Sequence, residues 1–200
     1  TTLLDIMAVY MSPEEALDIK RKTAKPMLWV GIVSMIMLFA GLTSAYIVRQ
    51  AEGNWLYFDI PQPFYTSTII IVISSLTIIL AKWAIKRDNQ MLSNSALLVT
   101  LLLGLVFAYS QFQGWVELVE MGVFFAGREA NAAGSFLYVL TGLHMAHLGG
   151  GILALIFTSI KGLLGKYSAE NHIGIDVAAT YWHFLDILWI YLLLFLVFIR

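Results

Sequence analysis

Five stretches of this sequence are each long and apolar enough to cross a lipid bilayer, which leaves the chain very few ways to fold. A hydrocarbon core about 30 Å thick takes about 20 residues of helix to span. Inside it no water serves the backbone, so a spanning segment either bonds internally as a helix or closes into a barrel. The stretches lie at about 27–48, 64–81, 93–116, 133–160 and 177–199, too long for the roughly 10-residue strands of a membrane barrel. The fold class read from this pattern is all-α: an integral membrane bundle of five transmembrane helices. Composition agrees, because 60% hydrophobic and 12% charged residues lie far from the balance of a soluble domain. Residues 1–25 read as a cytoplasmic N-terminal segment and 26–200 as one transmembrane domain, with no convincing internal repeat.

Sidedness follows from the basic residues. Lys20, Arg21, Lys22 and Lys25 precede the first span, Lys82, Lys86 and Arg87 follow the second, and Lys161 and Lys166 follow the fourth. Only Arg49, Arg128 and Arg200 fall on the other side, which puts the N-terminus inside and the C-terminus outside. Pro26 fits the first turn of the first spanning helix, and Pro61 and Pro63 the entry to the second. Ser12-Pro13-Glu14-Glu15 has the form of a capping box and predicts a short surface helix to about Lys22. Acidic Glu14, Glu15 and Asp18 argue against a cleavable signal, and a start at Thr1 points to trimming or to residues upstream. A net charge of −1 gives nucleic acid no electrostatic footprint. With no cysteine, the chain has no disulfide, thiolate zinc site, iron–sulfur cluster or c-type haem attachment.

The candidate chemistry sits inside the spans. His183 and Asp186 lie near the start of the fifth, three residues apart and so within reach of each other on one helix face. A charged side chain at such a depth costs about 2.5–3.5 kcal/mol on insertion scales, so it faces protein, water or a partner. Trp182, Asp186 and Trp189 recur at helical spacing, which predicts an inward stripe. In the fourth span Gly142, Ala146, Gly150, Ala154 and Thr158 recur every four residues, a small-residue face that lets another helix approach closely. His144 and His147 lie off that face, and Gln111 of the third span is expected to satisfy itself across a helix interface. Three readings of the polar cluster stand side by side: structural hydrogen bonding, a proton or lipid-headgroup role, and a haem or metal site using His144 or His147 with His183. The last is opposed by two histidines on one helix where a bis-histidine haem takes one from each of two. No Glu-x-x-His pair of the di-iron kind is present either. A secondary transporter is a further alternative, but broken helices and repeated halves are not evident. No phosphate loop, nucleophile elbow or hydrolase carboxylate pair is present.

Taken together these residues resemble subunit III of the haem-copper respiratory oxidases, the cytochrome c oxidase and quinol oxidase family, in its short five-span bacterial form. The resemblance rests first on Asn171-His172-Ile173-Gly174 and on Tyr181-Trp182-His183-Phe184-Leu185-Asp186 through Trp189. Gly134-Ser135-Phe136 with Thr141-Gly142-Leu143-His144 and His147 adds the preceding helix; Leu103-Gly104, Phe107 and Gln111, then Ser34 through Phe39 and Tyr46, add two more. It implies a multi-pass protein of the bacterial plasma membrane that has no catalytic residue, metal or redox cofactor of its own. Haems and copper would reside in partner subunits I and II. This chain would pack directly on subunit I, bind phospholipid, and support proton uptake and endurance during turnover. Two departures limit the carry-over: Met35 follows Ser34, and Gly114 stands beyond the glutamine, where family members often carry glutamates. The longer family form has seven spans, so a lipid cleft built by its first two does not transfer.

Overall fold

The structure, a computed structural model, describes residues 13–199. It contains five helices: α1 Pro13–Ala51, α2 Gln62–Lys86, α3 Gln90–Glu120, α4 Ala132–Leu163 and α5 Ile173–Phe198. Each is long and apolar enough to cross a membrane. The fold is a five-span, all-α bundle.

Its first helix departs from expectation. Ser12, the proposed cap, lies outside the described residues, and the surface helix is not separate: α1 runs through Pro26 as one 39-residue helix. The boundary expected at residues 25 and 26 is therefore not a break. Proline removes one N–H from the ladder and crowds the carbonyl four residues earlier. Here that carbonyl belongs to Lys22, and both Lys22 and Pro26 are exposed, so solvent can take the freed acceptor. At 1.5 Å per residue the helix is about 58 Å long, so several turns stand clear of the bilayer.

Helix ends follow local chemistry. Pro61 and Pro63 shape the entry to α2, where the missing N–H groups are needed least. The Asn89 side chain accepts from Leu92 N at 3.0 Å and caps α3. Asn131 caps α4 by accepting from Ala133 N, and its amide also donates to Asn54 O, which ties the loop before α2 to the loop before α4.

Packing closes α2, α3, α4 and α5 into a four-helix ring, each touching the next, while α1 lies outside against α4 and α5 alone. Two tryptophans of α5, Trp182 and Trp189, are fully buried with Phe64, Phe107, Leu97 and Leu137. Glycine makes room for them: a Cβ at Gly104 would sit 2.6 Å from the Trp182 ring. Gly114 lies directly beneath the Phe64 ring in the same way, so this fold has no space for a longer side chain there.

Candidate functional site: an intramembrane polar seam

α2 supplies acceptors to its neighbours. Its sequence places hydroxyls at Ser67 and Thr68 and again, two turns on, at Ser74 and Ser75. Ser67 Oγ accepts from Gln111 Nε2 of α3 at 2.8 Å. Thr68 Oγ1 accepts from Trp189 Nε1 at 2.9 Å, and Ser74 Oγ accepts from Trp182 Nε1 at 2.8 Å, both from α5. Thr77 and Thr100 pair across α2 and α3 at 2.8 Å. Without these bonds each indole N–H would be an unmet donor in hydrocarbon, and such bonds average about 0.6 kcal/mol in membrane proteins.

The contact expected between His183 and Asp186 is loose, and a hydroxyl of the facing helix α2 is the nearer partner. His183 Nδ1 instead lies 2.6 Å from Ser75 Oγ, while its closest approach to Asp186 Oδ2 is 4.0 Å. Residues three apart share a face, but the α2 hydroxyl lies nearer the ring. Asp186 is 3% exposed; the Ser75 hydroxyl is the polar group that bears on its carboxyl, though neither oxygen meets it in ordinary hydrogen-bond geometry.

The other histidines occupy separate surroundings. His144 is buried, with its ring 5.3 Å from that of Trp189 and 6.1 Å from that of Phe107, and its Nδ1 has no hydrogen-bond partner among the described residues. His147 Nδ1 turns back on the Leu143 carbonyl at 2.7 Å, and the Tyr181 hydroxyl donates to the His147 carbonyl at 3.0 Å. Among the described residues no group of three or more His, Cys, Asp or Glu side chains is placed to hold a metal ion.

The small-residue face of α4 is not a closed seam within this chain. A Cβ at Gly142 would meet nothing within 4 Å, Ala146 and Gly150 are exposed, and Ala154 borders an open groove of about 320 Å³ between α1 and α5. Close approach occurs one residue further round: a Cβ at Gly151 would lie 2.9 Å from Leu185 and 3.2 Å from Trp182. One residue is 100° of helix, so α5 meets Gly151 closely and reaches Gly150 only through the Tyr181 hydroxyl, at 3.7 Å from a Cβ placed there.

Sequence reasoning missed a second site at the N-terminal end of α5. Asp176, in the first turn where the helix dipole favours negative charge, receives Lys82 Nζ of α2 at 3.0 Å. Lys25 Nζ of α1 lies 3.9 Å away and His172 Nε2 3.8 Å. The signal available was an acidic residue in that first turn, with lysines at the matching ends of α1 and α2. Tyr167, in the preceding loop, is buried, and burial pushes its phenol above the usual range.

Comparison with known proteins places this arrangement. A family model described as cytochrome c oxidase subunit III matches residues 57–199, the whole of α2 to α5. The chain belongs to the cytochrome c oxidase subunit III family. It is 31% identical over 180 residues to a probable cytochrome c oxidase subunit 3 of Nocardia farcinica, covering 86% of this chain and 85% of that one. Identity is also 31% over 181 residues with the like-named protein of Mycobacterium tuberculosis H37Rv, with the same coverage. A probable subunit 3 of Rickettsia conorii matches at 33% over 144 residues, 69% of this chain and 46% of that one. Family membership fits a membrane subunit of the respiratory chain whose polar groups join its helices.

Proposed function

We propose that this chain is subunit III of a proton-pumping haem-copper terminal oxidase in a bacterial plasma membrane, with its N-terminus on the cytoplasmic side. It carries no redox centre; haems and copper belong to subunits I and II, and this chain packs on subunit I, retains phospholipid, and sustains proton supply over many turnovers. The observation that carries this reading is the use made of the polar groups: Gln111, Trp182, Trp189 and His183 each engage a hydroxyl of α2. These four side chains serve to hold helices together. The haem alternative is opposed by placement: His144 and His147 share one helix, and His144 is buried against the rings of Phe107 and Trp189.

The test compares the oxidase with and without this subunit, measuring initial oxygen consumption and its decay. Near-normal initial turnover followed by faster decay or weaker proton uptake is expected. Immediate and complete loss from an otherwise intact, haem-loaded core would overturn the supporting role.

A further inference from the structure

The cluster of Ser75, His183 and Asp186 stands at the middle of the bilayer. Asp186 lies 13 residues from the start of α5 and 12 from its end, and Ser75 is equally central in α2. Around it the surface is apolar and open. Val72 and Ile79 lie one turn to either side of Ser75 and are exposed, as is Ile187, one turn beyond His183. Ile187 also forms one wall of a groove of about 410 Å³ between α1 and α5, lined besides by Ile36, Phe39, Phe184 and Tyr191.

One group at this spot lacks what the bilayer demands. The His183 side chain is 31% exposed with one ring nitrogen engaged by Ser75, which leaves Nε2 without a partner among the described residues. Asp186 lies beneath it, closed off from the surface, with the Ser75 hydroxyl bearing on its carboxyl. At the midplane lipid offers only acyl chain, so neither headgroups nor interfacial water meet the His183 ring there. A helix of another protein can, because it brings side chains at every depth.

We infer that the α1–α2–α5 face centred on Ile187 is the seat of a transmembrane helix from another subunit, which presents a hydrogen-bonding side chain to His183 at the bilayer midplane. The inference rests on the oxidase-subunit reading and adds to it the face, the depth and the chemistry of the contact. Apolar side chains of that helix fill the groove beside Phe39 and Tyr191, and its hydrogen-bonding side chain supplies the register.

The test places a photo-crosslinking residue at Ile187, and in a second variant at Leu102 on α3, diagonally across the ring, in membranes holding the assembled complex. Ile187 should form an adduct with one membrane subunit, and Leu102 should not. Adducts to lipid alone at Ile187, or the subunit adduct at Leu102, would overturn the assignment. This measurement keeps His183 and Asp186 unaltered, so it stands even if a variant of either fails to fold. In parallel, His183→Leu should weaken retention of that subunit about threefold to tenfold, while His183→Gln, which still forms hydrogen bonds, retains it. Equal retention in both would remove the polar contact from the inference. If the unmodified chain never co-purifies with a haem protein, the subunit reading itself fails; if it does and Leu102 carries the adduct, only the choice of face fails.

Discussion

Trp182 and Ser74 meet across the α2–α5 boundary through a 2.8 Å bond in which the indole N–H donates to the hydroxyl, and both side chains are fully buried. The bond fixes the depth of α5 against α2, because the indole cannot slide a turn without leaving its proton in hydrocarbon. In a double-mutant cycle, Trp182→Phe and Ser74→Ala should show a coupling of about 0.6 kcal/mol, with about 1.7 as the upper range. Denaturation of the detergent-solubilised protein measures it. A coupling near zero would mean that only the volume of Trp182 matters.

Glycine substitutions separate the two faces of α4. Gly151→Leu should destabilise strongly, because its first side-chain atom already meets Leu185 and Trp182. Gly149→Leu, where a Cβ meets nothing within 4 Å, should leave the isolated chain near wild type. Gly104→Ala belongs with the first, at about 1–3 kcal/mol of overpacking against a rigid ring. Thermal unfolding of the isolated chain ranks the three.

Replacing Asp176 by Ala removes the acceptor shared by Lys82, Lys25 and His172. Lys25 and Lys82 are 59% and 37% exposed, so the loss should be modest, about 0.2–1 kcal/mol. It should also shrink as salt rises from low to about 1 M, where the screening length is about 3 Å. Melting curves at two ionic strengths suffice. A salt-independent loss would assign Asp176 to helix capping.

Alkaline pH should act through Tyr167. Burial raises its phenol above the unfolded value of about 10, so the neutral form is favoured in the fold. The stability it contributes is complete below pH of about 10 and disappears as pH climbs through the raised value. Tyr167→Phe should therefore flatten the upper limb of the stability–pH curve, followed by circular dichroism beside phenolate absorbance.

Much of the architecture is legible in the sequence because the bilayer imposes a length and forbids unmet backbone groups. The inward stripe of Trp182, Asp186 and Trp189 is equally plain from its spacing. What escapes is everything settled by a neighbour. Nothing local in Gly149-Gly150-Gly151 says which glycine meets Trp182, and nothing between His183 and Asp186 reveals that a serine on α2 lies closer than the aspartate. Pro26 reads as a helix start, yet α1 passes through it at a point where Lys22 and Pro26 are both exposed. The α2 hydroxyls were overlooked because serine and threonine are unremarkable one at a time; their recurrence after seven residues in an apolar helix marks the seam.

Those hydroxyls also bear on the order of synthesis. Ser67 and Thr68 each donate to the carbonyl of Phe64, at 2.9 Å and 2.8 Å, and Thr77 donates to that of Ser74 at 2.8 Å. α2 leaves the ribosome before α3 and α5, so these side chains enter lipid with their protons already placed and a lone pair to spare. Gln111 and Trp189, whose acceptors are Ser67 and Thr68, follow on later helices, carrying N–H groups that hydrocarbon leaves unmet. The early helix can wait and the late ones cannot, which gives membrane insertion a direction: α3 and α5 are drawn to an α2 already at rest.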